Sequence, residues 1–281
     1  MARSISDQDE TRRILLQQML DYQRYQPFKQ FIRQHRRWYS DRLDDLLSLA
    51  HAYVHTDLKS IEILAPKVGM TFLTRPSLLQ RRVYSYTQGL AIKLEVHEYD
   101  DYLRALTPLL VDTLRLVIET TLLPDLDRYL TEVVKETVDG KPLYRGLQWN
   151  QALIEEEPNP IQETWKRYYG DYFNYSHYVS SSHLLKIIDD HVEDPTIRQV
   201  AGRMRKVEKY ARNIVAHELV FVDDHWLEYR LGMNGQDIHQ LLMQLNQVAG
   251  LTDAQQWQGL VKIQEAIDQE LAAVFLNGSD Q

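Results

Sequence analysis

The chain has 281 residues, a formal charge of −8, 44% hydrophobic and 26% charged residues, the balance of a soluble globular protein with one large core or two modest ones, which excludes a disordered chain. It contains no Cys, which excludes disulfides, thiolate zinc sites and Cys nucleophiles and fits a reducing cytoplasm. No apolar run reaches the roughly 18 to 20 residues of a membrane span, and Met1 to Glu10 is polar without a signal-peptide core, so a cytoplasmic protein with no membrane partner is expected.

Periodicity predicts helices almost throughout. Asp7 to Tyr25 carries Ile14, Leu15, Met19 and Tyr22 at helical spacing, and Pro27 opens a second helix with Phe28, Phe31 and Ile32 on one side. A third helix is expected from about Tyr39 to Leu58, held by Leu43, Leu46, Leu47 and Ala50. Pro66, Gly69 and Pro76 mark a loop, after which Ser77 is a candidate cap for a helix reaching about Val96. These helices carry a basic cluster, Arg12, Arg13, Arg24, Lys29, Arg33, Arg36, Arg37 and Arg42, read as a solvated surface in preference to a nucleic-acid face.

Asp100 to Leu123 is the strongest amphipathic helix, with Leu103, Leu106, Leu110, Leu114, Val117, Ile118 and Leu122 on one broad face, and a second domain is expected to begin with it. The expected division is 1–97 and 98–281. A short helix should follow Pro124, then a small hairpin near Val138 to Trp149 turning at Asp139-Gly140. Glu155 to Pro160 reads as a loop. The aromatics from Trp165 to Tyr178 are read as a core or dimer seam rather than a base-stacking platform. Helices are then predicted over Ser182 to His191, Thr196 to His217, Gln236 to Val248 and Asp253 to Leu276. The fold class is all-α, a multi-helix bundle with at most a minor hairpin, and there is no βαβ alternation or Gly-rich βα turn.

The chemistry concentrates in the Thr196 to His217 segment. Arg198, Arg203, Arg205, Lys206, Lys209 and Arg212 face only Glu208 between 198 and 212, a local basic surface on an acidic protein that suits a polyanionic ligand. The segment closes on Arg212-Asn213-Ile214-Val215-Ala216-His217. A His moves protons near cellular pH, and an Arg holds phosphate oxygens through a planar fork that keeps its charge. These are the groups that metal-free RNA cleavage needs. Five helical steps leave Arg212 and His217 about 140° apart, so either the helix is distorted at its end or two such helices meet at one cleft. Asn213 and His217, at i and i+4, project together.

Three other groupings have spacings that bear on metal or orienting roles. His51 and His55 are spaced as a metal-binding pair but lack a following Glu and a third ligand, and read as surface or packing histidines. Asp189, Asp190, His191, Glu193 and Asp194 read as an acidic helix end before Pro195. Asp223, Asp224 and His225 either orient the motif or form the turn after it. No Walker loop, Gly-x-Ser-x-Gly elbow or kinase signature is present, and no cofactor is expected.

Arg-Asn-x-x-x-His closing a helix in an all-helical domain resembles the HEPN ribonuclease signature, Arg followed after four to six residues by His. The helix order, from the basic helix near Arg12 through Asp101 to Thr121 to the motif, resembles the helical linker and HEPN parts of the Csm-six family of type III-A CRISPR ribonucleases. Glu218 stands where a small residue often follows the His, and the nucleotide-sensing CARF domain expected upstream is not seen in these residues. The resemblance implies a HEPN-like ribonuclease domain over 98–281 and a metal-independent endoribonuclease for single-stranded RNA in antiviral defence, working as a homodimer with a shared cleft. His217 would be its acid or base, Arg212 its phosphate clamp and Asn213 its orienting group, with Arg205, Lys206 and Lys209 guiding the strand. Activation by cyclic oligoadenylate, which switches CARF-bearing relatives, stays open. The alternatives are a non-catalytic helical module binding nucleic acid or protein, or a HEPN toxin outside CRISPR.

Overall fold

In the computed structural model, which describes residues 7–277, the chain is all-α apart from one two-stranded antiparallel sheet among the described residues. It divides into two units, with boundaries between Val96 and His97 and between Thr252 and Asp253. The unit before Val96 also takes the chain after Asp253. The expected division, 1–97 and 98–281, places that last segment in the second domain.

The first unit contains α1 (Asp7–Asp21), α2 (Tyr25–Gln34), α3 (Asp41–Val54), α4 (Leu58–Lys67) and α5 (Leu78–Glu95). The helix expected from Tyr39 to Leu58 ends at Val54, because Thr56 adopts a left-handed φ of 55° and Asp57 then caps α4 by accepting from the Ser60 N–H at 3.2 Å. The expected loop at Pro66 is therefore the last turn of a helix that the sequence reading missed. Ser77 does cap α5, in a capping box with Gln80. The short α14 (Ala254–Trp257) and the long α15 (Gly259–Asn277) complete this unit. Leu260, Ile263, Ile267 and Leu271 of α15 enter the same core as Leu43, Leu46, Leu47 and Phe28. This burial, and not nearness in sequence, decides where the C-terminal helix belongs.

Much of the basic cluster on the first helices is committed internally. Arg33 grips Asp44 through two bonds of 2.5 and 2.8 Å, Lys29 shares that carboxylate at 3.3 Å, and Arg42 pairs with Glu270 at 3.5 Å. The Arg37 guanidinium lies 4.6 Å from the Trp38 ring centroid. The side chains of Arg12 and Arg13 lie outside the described residues.

The second unit begins with α6 (Tyr99–Thr121), whose buried Leu103, Leu106, Leu110, Leu114 and Val117 form the predicted apolar face. The short helix expected after Pro124 is a 3-10 turn, Leu126–Tyr129, that leads directly into strand β1 (Leu130–Glu136). The β-branched run Thr131, Val133, Val134 favours a strand, and β1 pairs antiparallel with β2 (Pro142–Trp149) across the Asp139-Gly140 turn, where Gly140 has φ 72°. The short α7 (Gln151–Glu156) occupies part of the expected acidic loop, followed by α8 (Pro160–Tyr169) and α9 (Ser181–His191). Trp165 is buried and stacks on Phe173 at 4.3 Å, so this part of the aromatic run is core, as expected. α10 (Pro195–Val207), a π turn (Glu208–Arg212), α11 (Asn213–His217), α12 (Asp224–Leu231) and α13 (Gly235–Val248) complete the unit, and α6 packs on α9, the π turn, α11 and α13.

Candidate functional site

Helix α10 starts at Pro195, with Asp194 accepting from the Thr196 N–H at 2.7 Å. Ile197, Val200, Ala201, Met204 and Val207 form its buried stripe, on the side that meets α9 and α13. Glu208 falls on that stripe. Only 4% of its surface is exposed, and its carboxylate accepts bonds from Thr107 Oγ1 (2.9 Å), Ser181 Oγ (2.6 Å) and Arg205 Nη1 (2.7 Å). A buried carboxylate is tolerable because its oxygens are so occupied.

The single helix expected over Thr196 to His217 is interrupted at this residue. The Asn213 N–H reaches the Glu208 carbonyl five positions back, a π turn that inserts one extra residue and rotates the motif relative to α10. Distortion is present, and its last residue is Arg212, the first residue of the motif. From Asn213 to His217 the chain is regular helix, with Arg212 in right-handed helical geometry at its junction with the π turn.

Arg212 is half-buried and donates from Nη1 to Asn213 Oδ1 at 3.3 Å, while its Nε is buried without a hydrogen-bond partner among the described residues. Val215 is buried and anchors α11, and His217 is exposed at the last residue of the helix. The structure thus joins Arg212 to Asn213, and among the described residues no hydrogen bond joins either to His217 within one chain. Beyond His217 the Glu218 N–H closes on the Ile214 carbonyl at 2.9 Å, and Arg104 of α6 donates from Nε to the Val215 carbonyl at 3.2 Å. Arg104 is itself held by Asp100 and Asp101, at 2.5 and 3.3 Å.

The three residues expected to guide a strand separate into two kinds. Arg205 is neutralised by Glu208, whereas Lys206 and Lys209 are exposed, with the Lys209 ammonium 5.2 Å from the Tyr210 ring centroid. After the motif, residues 218–223 have no regular secondary structure, leaving Leu219 fully exposed and Phe221 84% exposed while Val222 is buried. Two large apolar side chains are thus exposed within four residues after His217.

The other groupings have structural partners. Asp223 caps α12 through the Trp226 N–H at 2.8 Å, and Asp224 accepts from Tyr99 and from the Gly235 N–H, each at 2.8 Å. Asp190 pairs with Arg167 at 2.9 Å, and His191 meets Thr164 at 3.1 Å. The His51 and His55 rings stand edge to face at 4.4 Å, and no group of three or more potential metal ligands occurs among the described residues. His183, which the sequence reading did not single out, is buried among Trp149, Trp165 and Phe173 and is held down to a pKa of about 4 by burial and by nearby Lys186 and His177. The reading also missed Arg104, Thr107, Ser181 and Glu208. Only Glu208 had a signal: with Met204, Ala211 and Val215 it keeps the i, i+3, i+4 spacing of the apolar stripe, where a carboxylate requires partners.

The sequence model of the family described as Cas_Csm6 HEPN domain matches residues 72–268, more than half of the chain, and bears out the resemblance carried by Arg212 to His217. No curated protein matches the chain at a significant level.

Proposed function

Since this chain belongs to the Cas_Csm6 HEPN domain family, a family of CRISPR-associated ribonucleases, we propose that it is an endoribonuclease that cleaves single-stranded RNA without a metal cofactor, serving type III-A CRISPR defence. The observation that carries this reading is the pairing of Arg212, held by Asn213 at 3.3 Å, with an exposed His217 one α-helical segment away. The 2′-OH oxygen attacks the adjacent phosphorus and the bond to the 5′ oxygen breaks, leaving a 2′,3′-cyclic phosphate and a 5′-OH. His217 takes the 2′-OH proton or gives one to the departing oxygen. Arg212 holds the non-bridging oxygens as charge grows on them.

On an ideal helix Arg212 and His217 stand about 140° apart. A homodimer answers this by bringing two motifs to a shared cleft, and an isologous contact would supply a second His217. Exposed Leu219 and Phe221, directly after His217, support that contact. Lys206 and Lys209 lead the strand toward the cleft; Arg205, paired with Glu208, contributes less charge than its position suggests. Mass spectrometry of the products tests the chemistry: cyclic phosphate termini are expected, and 3′-hydroxyl termini would contradict it.

A further inference from the structure

A π turn is a poor way to continue a helix, and it persists where tertiary contacts enforce it. Here those contacts converge on one side chain. The Glu208 carboxylate joins α6 through Thr107, α9 through Ser181 and α10 through Arg205, all within 2.9 Å. For stability alone, an apolar residue at this stripe position would serve as well as a buried charge. What the carboxylate adds is a fixed location. Its own carbonyl receives the Asn213 N–H, so the place of Glu208 fixes the start of α11, and Arg212 lies between these two tied ends.

From this we infer that Glu208 is a positioning residue that sets the direction of the Arg212 guanidinium, acting through the π turn and not by touching RNA. The inference rests on the ribonuclease reading for its consequence and on the hydrogen-bond geometry for its cause. It requires that weakening the carboxylate harm turnover more than substrate binding, and that the harm vanish once Arg212 is no longer an arginine.

The test is steady-state cleavage of a fluorogenic single-stranded RNA by wild type, Glu208→Gln, Arg212→Lys and the double variant. Glu208→Gln is expected to lower kcat about 10-fold or more with KM within about twofold. In the Arg212→Lys background it should lower kcat by less than about twofold further, because both changes act through one group. Wild-type kcat in Glu208→Gln, or an equal loss in both backgrounds, would overturn the inference. Hydrogen exchange on the same variants decides the structural half even if the wild type does not cleave, an outcome that would sink the ribonuclease reading by itself. Glu208→Gln should speed exchange over 209–214 and leave α9 and α13 as protected as in wild type. Unchanged exchange over 209–214, or faster exchange throughout the unit, would refute the positioning role.

Discussion

Arg104 donates from Nε to the carbonyl of Val215, 3.2 Å away, so a side chain of the long α6 closes the end of the helix that carries His217. The last carbonyls of a helix lack internal partners, and a cation is favourable there. Arg104→Gln should fray residues 214–218 and lower RNA turnover about threefold to tenfold, at a stability cost near 1 kcal/mol. Hydrogen exchange over α11 checks this. Wild-type protection in the variant would show that Arg104 leaves the motif unaffected.

The cations divide by partner, and so should their roles. Lys206→Gln with Lys209→Gln is expected to weaken RNA binding and to reduce the slope of log affinity against log salt by about 1.4, at roughly 0.7 per phosphate contact on a single strand. Arg205→Gln, which leaves the buried Glu208 carboxylate short of a donor, should lower the melting temperature and change that slope little. Titrations at several salt concentrations distinguish these outcomes; an unchanged slope in the lysine variant would make that face a solvated surface only.

Stability should carry a pH signature from Glu119. Burial, with nearby Asp127 adding to it and Arg115 opposing, pushes its carboxyl from 4.5 up to about 7, and its Oε1 is buried without a partner among the described residues. The folded state therefore holds a proton that the unfolded chain releases, so stability from this group is present below about 4.5 and is lost as pH rises to about 7. Solvent screening on its open side limits the loss to roughly 1 kcal/mol. Glu119→Gln should melt higher than wild type at pH 8 and close to it at pH 5. His183 acts in the opposite sense, since its depressed pKa removes stability as pH falls from 6.5 toward 4, so the two must be compared variant by variant. A Glu119→Gln melting difference that does not vary with pH would contradict the assignment.

The proposed dimer would bury the exposed Leu219 and Phe221. Leu219→Asp with Phe221→Asp should convert a dimer into a folded monomer with unchanged helical circular dichroism and little cleavage. Light scattering settles it, and a wild-type monomer at concentrations where RNA is cut would rule out the shared cleft.

The motif and most helices were legible in the sequence because their signals are local: the cap at Ser77, the leucine face of α6, and Arg212 with its neighbours. The π turn was not, because it depends on Thr107 and Ser181, distant in sequence and reached only after folding. Helical periodicity therefore carries one helix straight through 208–212, where the structure has the π turn. The strand over Leu130–Glu136 was missed because its short apolar run is ambiguous until β2 pairs with it. The place of α15 rests on burial of Ile263 and Ile267 against helices more than two hundred residues earlier, which periodicity does not convey.

The central claim is that Arg212 and His217 cut RNA without a metal, and the most direct measurement is cleavage of a fluorogenic single-stranded RNA in EDTA by wild type, Arg212→Ala and His217→Ala. The account predicts full wild-type activity in the chelator and a loss of about 10²-fold or more in each variant, from removal of the proton-transfer and charge-stabilising groups. Equal cleavage by purified His217→Ala, or activity that appears only with added divalent metal, would contradict it.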